Sequence, residues 1–216
     1  QEPIDGLAEE MMARFNQEKP IVYTTVQMYR HDRLEYLKGL HQRAKENGFI
    51  AGVKLVRGAY LEKENRRAAQ MGYDTPMQPN KLATDTDFDA ASRYCLENLA
   101  DFALCAGTHN AESCDLIATW LEDQGVDRNH PHVWFSQLYG MSDNLSFNLA
   151  QQGFNVSKYL PFGPLRAVLP YLFRRAEENS SIADQTGREL LLIKDELQSR
   201  QRQLPPKQLA RKLAAE

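Results

Sequence analysis

Lys54 stands in a run, Val53-Lys54-Leu55-Val56, whose other members are all apolar. A buried ammonium without a partner is costly, so this side chain must meet an acceptor or a ligand. A salt-bridged or snorkelling lysine meets that demand, and so does a Schiff-base nucleophile. Three residues on, Arg57 precedes Gly58, a residue that lets backbone approach a bound group closely. A solvated arginine at a strand end fits the same pair. Thr108-His109-Asn110 runs straight into a helical pattern. Backbone N–H groups at such a terminus, with a histidine beside them, favour phosphate; a plain cap by Asn110 or Thr108 accounts for the residues equally well. Arg174-Arg175 offers paired guanidinium forks that match a carboxylate. The plainer account is a surface ion pair with Glu178, at i+4 and i+3. Tyr60, Tyr159 and Trp134 are either the walls of a site or core aromatics.

What accompanies these residues narrows the chemistry. They bring no pair of carboxylates, which opposes acid-pair glycoside hydrolysis. They bring no set of His and Asp ligands, and His109 alone makes a poor metal ligand, so no metal is expected. No general acid or base stands out as catalytic. Donors and cations of this kind suit an anionic cofactor.

The elements that must position them alternate. A short helix over Leu7–Phe15 precedes a β-branched and aromatic strand, Ile21–Gln27. Leu34–Asn47 is helical and Gly48 stops it. Val53–Tyr60 reads as a strand, followed by a loop rich in turn residues through Gly72-Tyr73-Asp74-Thr75-Pro76 and Gln78-Pro79-Asn80. Helices are expected over Asp87–Leu99, Ala111–Gln124, Ser142–Gln152 and Pro164–Glu178, with strands at Phe102–Cys105, Val133–Leu138 and Asn155–Leu160. Five strands alternating with helices at roughly 25–30 residue spacing indicate βα units and a parallel sheet. In an α/β barrel the strand ends carry the chemistry. Here those ends hold Gln27, Arg57 to Tyr60, Thr108 to Asn110, Gln137-Leu138 and Tyr159. An open doubly wound sheet is the alternative, but no G-x-G-x-x-G turn is present. The last helix carries Leu165, Val168, Leu169, Leu172 and Ala176 on one face.

The 216 residues are 42% hydrophobic with a formal net charge of -3. That suits an ordinary core and excludes a global attraction to nucleic acid. No run of 18 apolar residues spans a membrane. The start, Gln1-Glu2-Pro3, has neither an initiator Met nor an apolar leader, and reads as a trimmed chain. Cys95, Cys105 and Cys114 form no C-x-x-C pair, so a reducing compartment is expected. Residues 1–192 read as one domain and 193–216 as a charged tail. That tail is either a solvated helix or a basic segment resting on an anionic membrane.

Four blocks then carry a resemblance. Val53-Lys54-Leu55-Val56-Arg57-Gly58-Ala59-Tyr60, Thr108-His109-Asn110, Gln137-Leu138-Tyr139-Gly140-Met141, and Tyr159 to Gly163 with Tyr171 to Ser181, resemble proline dehydrogenase in order and spacing. They extend over about Ile21 to Ile182. The chain looks closer to the monofunctional and mitochondrial type: Arg57 stands where the bifunctional type usually has Lys, and Lys54 where it usually has Arg.

The resemblance implies a distorted (β/α)₈ barrel with non-covalent FAD at its carboxyl face. Strands four to eight would be present here. The earlier strands, with a substrate-holding lysine and an acidic residue near the flavin, would lie in a missing N-terminal segment. It implies oxidation of proline to 1-pyrroline-5-carboxylate, hydride passing to flavin N5 and electrons to a quinone. Arg174 and Arg175 would take the substrate carboxylate, with Tyr60, Leu138 and Tyr159 walling the ring. Gln27 and Lys54 would donate to the isoalloxazine, Lys54 near N5. Arg57, Gly58, Thr108, His109 and Asn110 would lie at the pyrophosphate, and Gln137 and Glu178 toward the adenosine half. Bacterial cytoplasm at the membrane, or the mitochondrial matrix and inner membrane, are the implied locations. The competing readings are a hydroxyproline dehydrogenase, a class I aldolase-like barrel using Lys54 or Lys158, and a non-enzymatic interaction module.

Overall fold

Alternation along five strands decides how the sheet is used. β1 (Thr24–Gln27), β2 (Ala51–Val56), β3 (Phe102–Gly107), β4 (Val133–Leu138) and β5 (Val156–Tyr159) pair in parallel, in that sequential order. The computed structural model describes residues 2–181, with 191, 194 and 197–199, and side chains within that span from 3 to 175. The tail expected from 193 lies almost wholly outside the described residues.

One face of the sheet is the core. Val26, Val53, Leu55, Leu104, Ala106, Val133 and Phe135 are buried there. They pack with residues from α2 (Arg33–Asn47), α4 (Lys81–Glu97), α5 (Ala111–Asp123) and α6 (Asp143–Gln151). Leu37, Leu40 and Ala44, then Phe88, Ala91 and Cys95, then Ile117 and Leu121, recur at helical spacing and form the matching stripes. Each large side chain so buried contributes roughly 1.5–3 kcal/mol.

The opposite face is different. Thr25, Lys54, Cys105 and Trp134 lie in register across β1 to β4, and none of them is fully buried. A Cβ on Gly107 would lie 2.9 Å from both Lys54 Cε and Val56 Cγ1, which places all three residues on this side. The apolar run around Lys54 suggests burial, whereas its face of β2 is half-open. Lys54 Nζ lies 5.3 Å from the centroid of the Tyr159 ring, although β2 and β5 are three strands apart. A flat sheet would separate those strands by about 14 Å. The side chains converge above small neighbours, Cys105, Gly107 and Ser136, as they do on the concave side of a curved sheet. Sequential order without reversal and a concave polar face are features of a barrel arc, and the doubly wound alternative, whose strand order reverses, is set aside.

Several boundaries differ from expectation for physical reasons. α1 spans Glu2–Phe15. β1 starts at Thr24 because the buried Asn16 side chain occupies the chain before it. Asn16 accepts from Ile21 N and Val22 N, and donates to Val22 O and Ile50 O. That completes the hydrogen-bonding capacity of the amide. β2 ends at Val56, so Arg57 to Tyr60 form a turn, and Tyr60 stands at the start of a helix, α3 (Leu61–Met71). The sequence leads one to expect a loop here; the helix is mostly polar, its apolar residues are Leu61, Ala68, Ala69 and Met71, and it buries only Ala68. α4 begins at Lys81, capped by the Asn80 side chain, which accepts from Ala83 N.

The chain divides into two compact units, Gln1–Leu160 and Pro161–Glu216. The first holds the sheet. In the second, α7 (Leu165–Ser181) carries Pro170 in its interior, where the missing N–H removes one helical hydrogen bond.

Candidate active site

Arg57 leaves β2 on the helix-facing side of the carboxyl rim. Its Nε donates to Asp85 Oδ1 at 2.6 Å, Nη1 to Thr108 Oγ1 at 2.8 Å and Nη2 to Ser113 Oγ at 3.0 Å. Its guanidinium carbon sits 4.5 Å from the Phe88 ring centroid. Burial by itself would raise the Asp85 carboxyl. Hydrogen bonds from Lys81 and Arg57 outweigh that and hold it below its ordinary value. Gly58 follows with φ +125°, and a Cβ there would lie about 2.4–2.5 Å from the ring of Tyr29. The turn under Arg57 therefore requires glycine.

Thr108 and Asn110 both serve the start of α5. Asn110 accepts from Ser113 N, and Thr108 Oγ1 accepts from Asn110 N as well as from Arg57. The capping account of this motif is thus realised, and the cap also holds a cation. His109 Nε2 accepts from Leu138 N at 3.4 Å and Nδ1 lies 3.1 Å from Ser142 Oγ. Ser142 has φ 49°, the one non-glycine residue with positive φ among the described residues. Gln137 is 1% exposed; its Nε2 donates to Thr108 O and its Oε1 accepts from Ser146 Oγ. It supports Thr108 from within the sheet–helix layer. Lys158 donates to Met141 O at 2.7 Å and Ser146 Oγ at 2.9 Å, and pairs with Asp143 at 2.7 Å. An ammonium so engaged is a structural tie, which removes Lys158 as a Schiff-base nucleophile.

Lys54 and Tyr159 meet on the concave face as described, with Gln27 opposite Val56 at its upper level and Leu138 opposite Tyr159. Tyr159 is 47% exposed and Tyr60 38%, so neither is a core aromatic. Trp134 is half-exposed too, its Nε1 donating to Pro131 O. Arg174 and Arg175 lie on α7 in the second unit, where the Arg175 guanidinium stacks 5.2 Å from the Tyr171 ring. Glu178 is on the same helix, and its side chain lies outside the described residues.

The structure thus brings Gln27, Lys54, Arg57, Gly58, Thr108, His109, Asn110, Gln137, Leu138 and Tyr159 to one end of the sheet, split between its two sides. Reasoning from sequence missed Asp85, Ser113, Ser142 and Ser146, which hold the others. Asp85, Phe88 and Asp89 share i, i+3 and i+4 positions on α4, and acids beside a buried aromatic on one helical face were the available signal.

The family model described as proline dehydrogenase matches residues 2–188. The chain belongs to that family. Proline dehydrogenase 1, mitochondrial, of Homo sapiens is 40% identical over 205 residues, covering 94% of this chain and 34% of the relative. The carbapenem antibiotics biosynthesis protein CarD of Pectobacterium carotovorum is 39% identical over 197 residues, covering 91% of this chain and 50% of that protein. Among solved structures, proline utilization A from Bdellovibrio bacteriovorus, inactivated by N-propargylglycine, superposes with a TM-score of 0.74 at 28% identity. That match covers 81% of this chain and 18% of the other. The chain therefore spans from a third to a half of the length of these curated relatives. Among the described residues no helix is long and apolar enough to cross a membrane, and Cys95, Cys105 and Cys114 are free thiols.

Proposed function

We propose that this chain is the carboxyl-terminal part of a flavin-dependent barrel that oxidises proline to 1-pyrroline-5-carboxylate. The observation that carries the reading is the carboxyl rim of the sheet. Its concave side presents Lys54 against an aromatic ring, while its helix side presents Arg57 beside a helix start. Those donors fit FAD, an anionic group with a flat aromatic end. Of the five N–H groups of Arg57, three serve the protein, and among the described residues two remain for an oxygen ligand. Arg57, Thr108, His109 and Asn110 would hold the pyrophosphate, with Gly58 allowing close backbone approach. Lys54 and Gln27 would donate to the ring system. For Gln137 the burial favours support of Thr108 over direct contact; Glu178 is assigned to the adenosine half by family resemblance.

When bound, the flavin supplies the hydride acceptor, and a quinone then takes the electrons. The chain's own residues bind and orient. By family resemblance, Arg174 and Arg175 would take the substrate carboxylate, and Tyr60, Leu138 and Tyr159 would wall the ring and exclude water. No acid–base pair is required of them. β1 and β5 are the sheet's edges among the described residues, which supports strands four to eight of a (β/α)₈ barrel closed by an N-terminal segment. The domain would run to 192, with 193–216 as a basic tail at a membrane surface, in bacterial cytoplasm or the mitochondrial matrix.

The test is a visible absorption spectrum of the purified full-length protein. Flavin bands that bleach on anaerobic addition of proline are expected; a colourless protein, or bands indifferent to proline, would sink the reading. Borohydride trapping of a carbonyl substrate on Lys54 would instead favour the aldolase-like alternative. Arg175→Met should raise KM for proline tenfold or more, about 1.4 kcal/mol or above, and leave the bands in place.

A further inference from the structure

We propose that Asp85 on α4 and Ser113 on α5 are positioning residues that aim the Arg57 guanidinium at the anionic end of the cofactor. The inference rests on the flavin reading above and assigns two residues to it that no motif marks.

Arg57 has a long side chain with several rotamers, and ordering it costs free energy each time a ligand binds. Here the cost is met beforehand. Asp85 fixes the Nε edge, Ser113 one terminal nitrogen, and Thr108 the other, while Phe88 supports the plane from one side. Ser113 is itself held: its hydroxyl donates to Asp89 Oδ1 at 2.7 Å and keeps a lone pair for Arg57. Its buried position leaves that hydroxyl little freedom to turn elsewhere. The three partners come from α4, the start of α5 and the loop after β3, so the guanidinium is pinned between separate elements.

Asp85 acts on an anionic ligand in two opposite ways. Its charge repels phosphate, whereas its hydrogen bond orients the group that attracts phosphate. Lys81 pairs with the same carboxylate at 2.5 Å and offsets the repulsion. Orientation therefore dominates, and removing the carboxylate weakens binding.

Flavin affinity is measured by titrating apoprotein prepared from the full-length holoenzyme, with thermal midpoints recorded in parallel. Ser113→Ala and Asp85→Asn should each raise the flavin Kd about tenfold, the scale of one hydrogen bond to a charged group. In an Arg57→Met background, Asp85→Asn should add nothing. At saturating flavin, the proline KM of both single variants should match the parent. Unchanged flavin affinity with a lowered thermal midpoint would overturn the proposal, since the network would then serve stability alone. Tighter binding in Asp85→Asn would overturn it as well, because charge would have outweighed orientation. Should Asp85→Asn fail to fold, Ser113→Ala decides, since it alters no charge. A parent protein that binds no flavin would refute the flavin reading itself, a result distinct from a parent that binds and variants that bind equally.

Discussion

The two sides of the sheet's carboxyl rim differ in how their polar groups are satisfied. On the helix side, Arg57 in the turn after β2, Gln137 on β4 and Lys158 on β5 are tied to the neighbouring helices and loops by seven hydrogen bonds and one ion pair. On the concave side, Thr25, Lys54, Cys105 and Trp134 stand in register, partly exposed, with small residues between larger ones. The first arrangement is a scaffold whose groups have fixed directions. The second is a surface shaped to receive something. Lys54 and Arg57 belong to one motif three residues apart, and strand geometry sends them to opposite sides. Their work is expected to differ accordingly.

Adjacent aromatics on β4 test that division at the largest scale. Phe135 is fully buried on the helix side, and Trp134 is 37% exposed on the other. Phe135→Ala should cost about 3–5 kcal/mol of stability, and Trp134→Ala about 1 kcal/mol or less. Denaturant unfolding measures both. Comparable losses would mean the concave face is packed core and not a receiving surface.

A smaller effect is expected from the ring that Lys54 approaches. If Tyr159 walls the substrate ring as proposed, it would fill space that a 4-hydroxyl on that ring needs, and overpacking of that kind costs roughly 1–3 kcal/mol. The protein should therefore prefer proline to 4-hydroxyproline by about tenfold or more in kcat/KM. Tyr159→Ser should narrow the preference, mainly by weakening proline. Equal efficiency on both substrates in the parent would show that Tyr159 does not gate the ring.

The smallest effect belongs to the scaffold side and to acid. The Asp85 carboxyl is held below its ordinary value, so the stability it contributes is present above about pH 4 and is lost as pH falls through the lowered value. Thermal midpoints from about pH 6 to about pH 3 should fall more steeply in the parent than in Asp85→Asn. Asp32 and Asp101 are lowered too, but they are common to both proteins and cancel in the difference. Parallel curves would mean that Asp85 carries no such linkage.

How far the sequence could be read follows from the same two-sidedness. The five strands, their parallel order and most helices were legible because β-branched runs and three-to-four spacing report burial, and burial organises the helix side. β4 was placed at Val133–Leu138, as observed. α3 was not legible, since only four of its eleven residues are apolar, only Ala68 is buried, and turn residues follow it directly. The motif residues were legible as a group, and Lys54 stood out by its apolar neighbours. Their division between two faces follows from the period of two along a strand but was not drawn from the sequence, and β2, expected through Tyr60, ends at Val56. Asp85 and Ser113 stayed hidden for another reason. They lie 28 and 56 positions from Arg57, and only the fold brings them to it.

The midpoint potential of the bound flavin in Lys54→Met tests the central claim most directly. A lysine on the receiving face, donating to the ring system, stabilises the anionic reduced form; one tied into the scaffold would not. Removing it should shift the potential to more negative values by about 30 mV or more, which for two electrons corresponds to about 1.4 kcal/mol. The visible spectrum should shift with it. A potential and spectrum identical to those of the parent, in a variant that still binds flavin, would contradict the account.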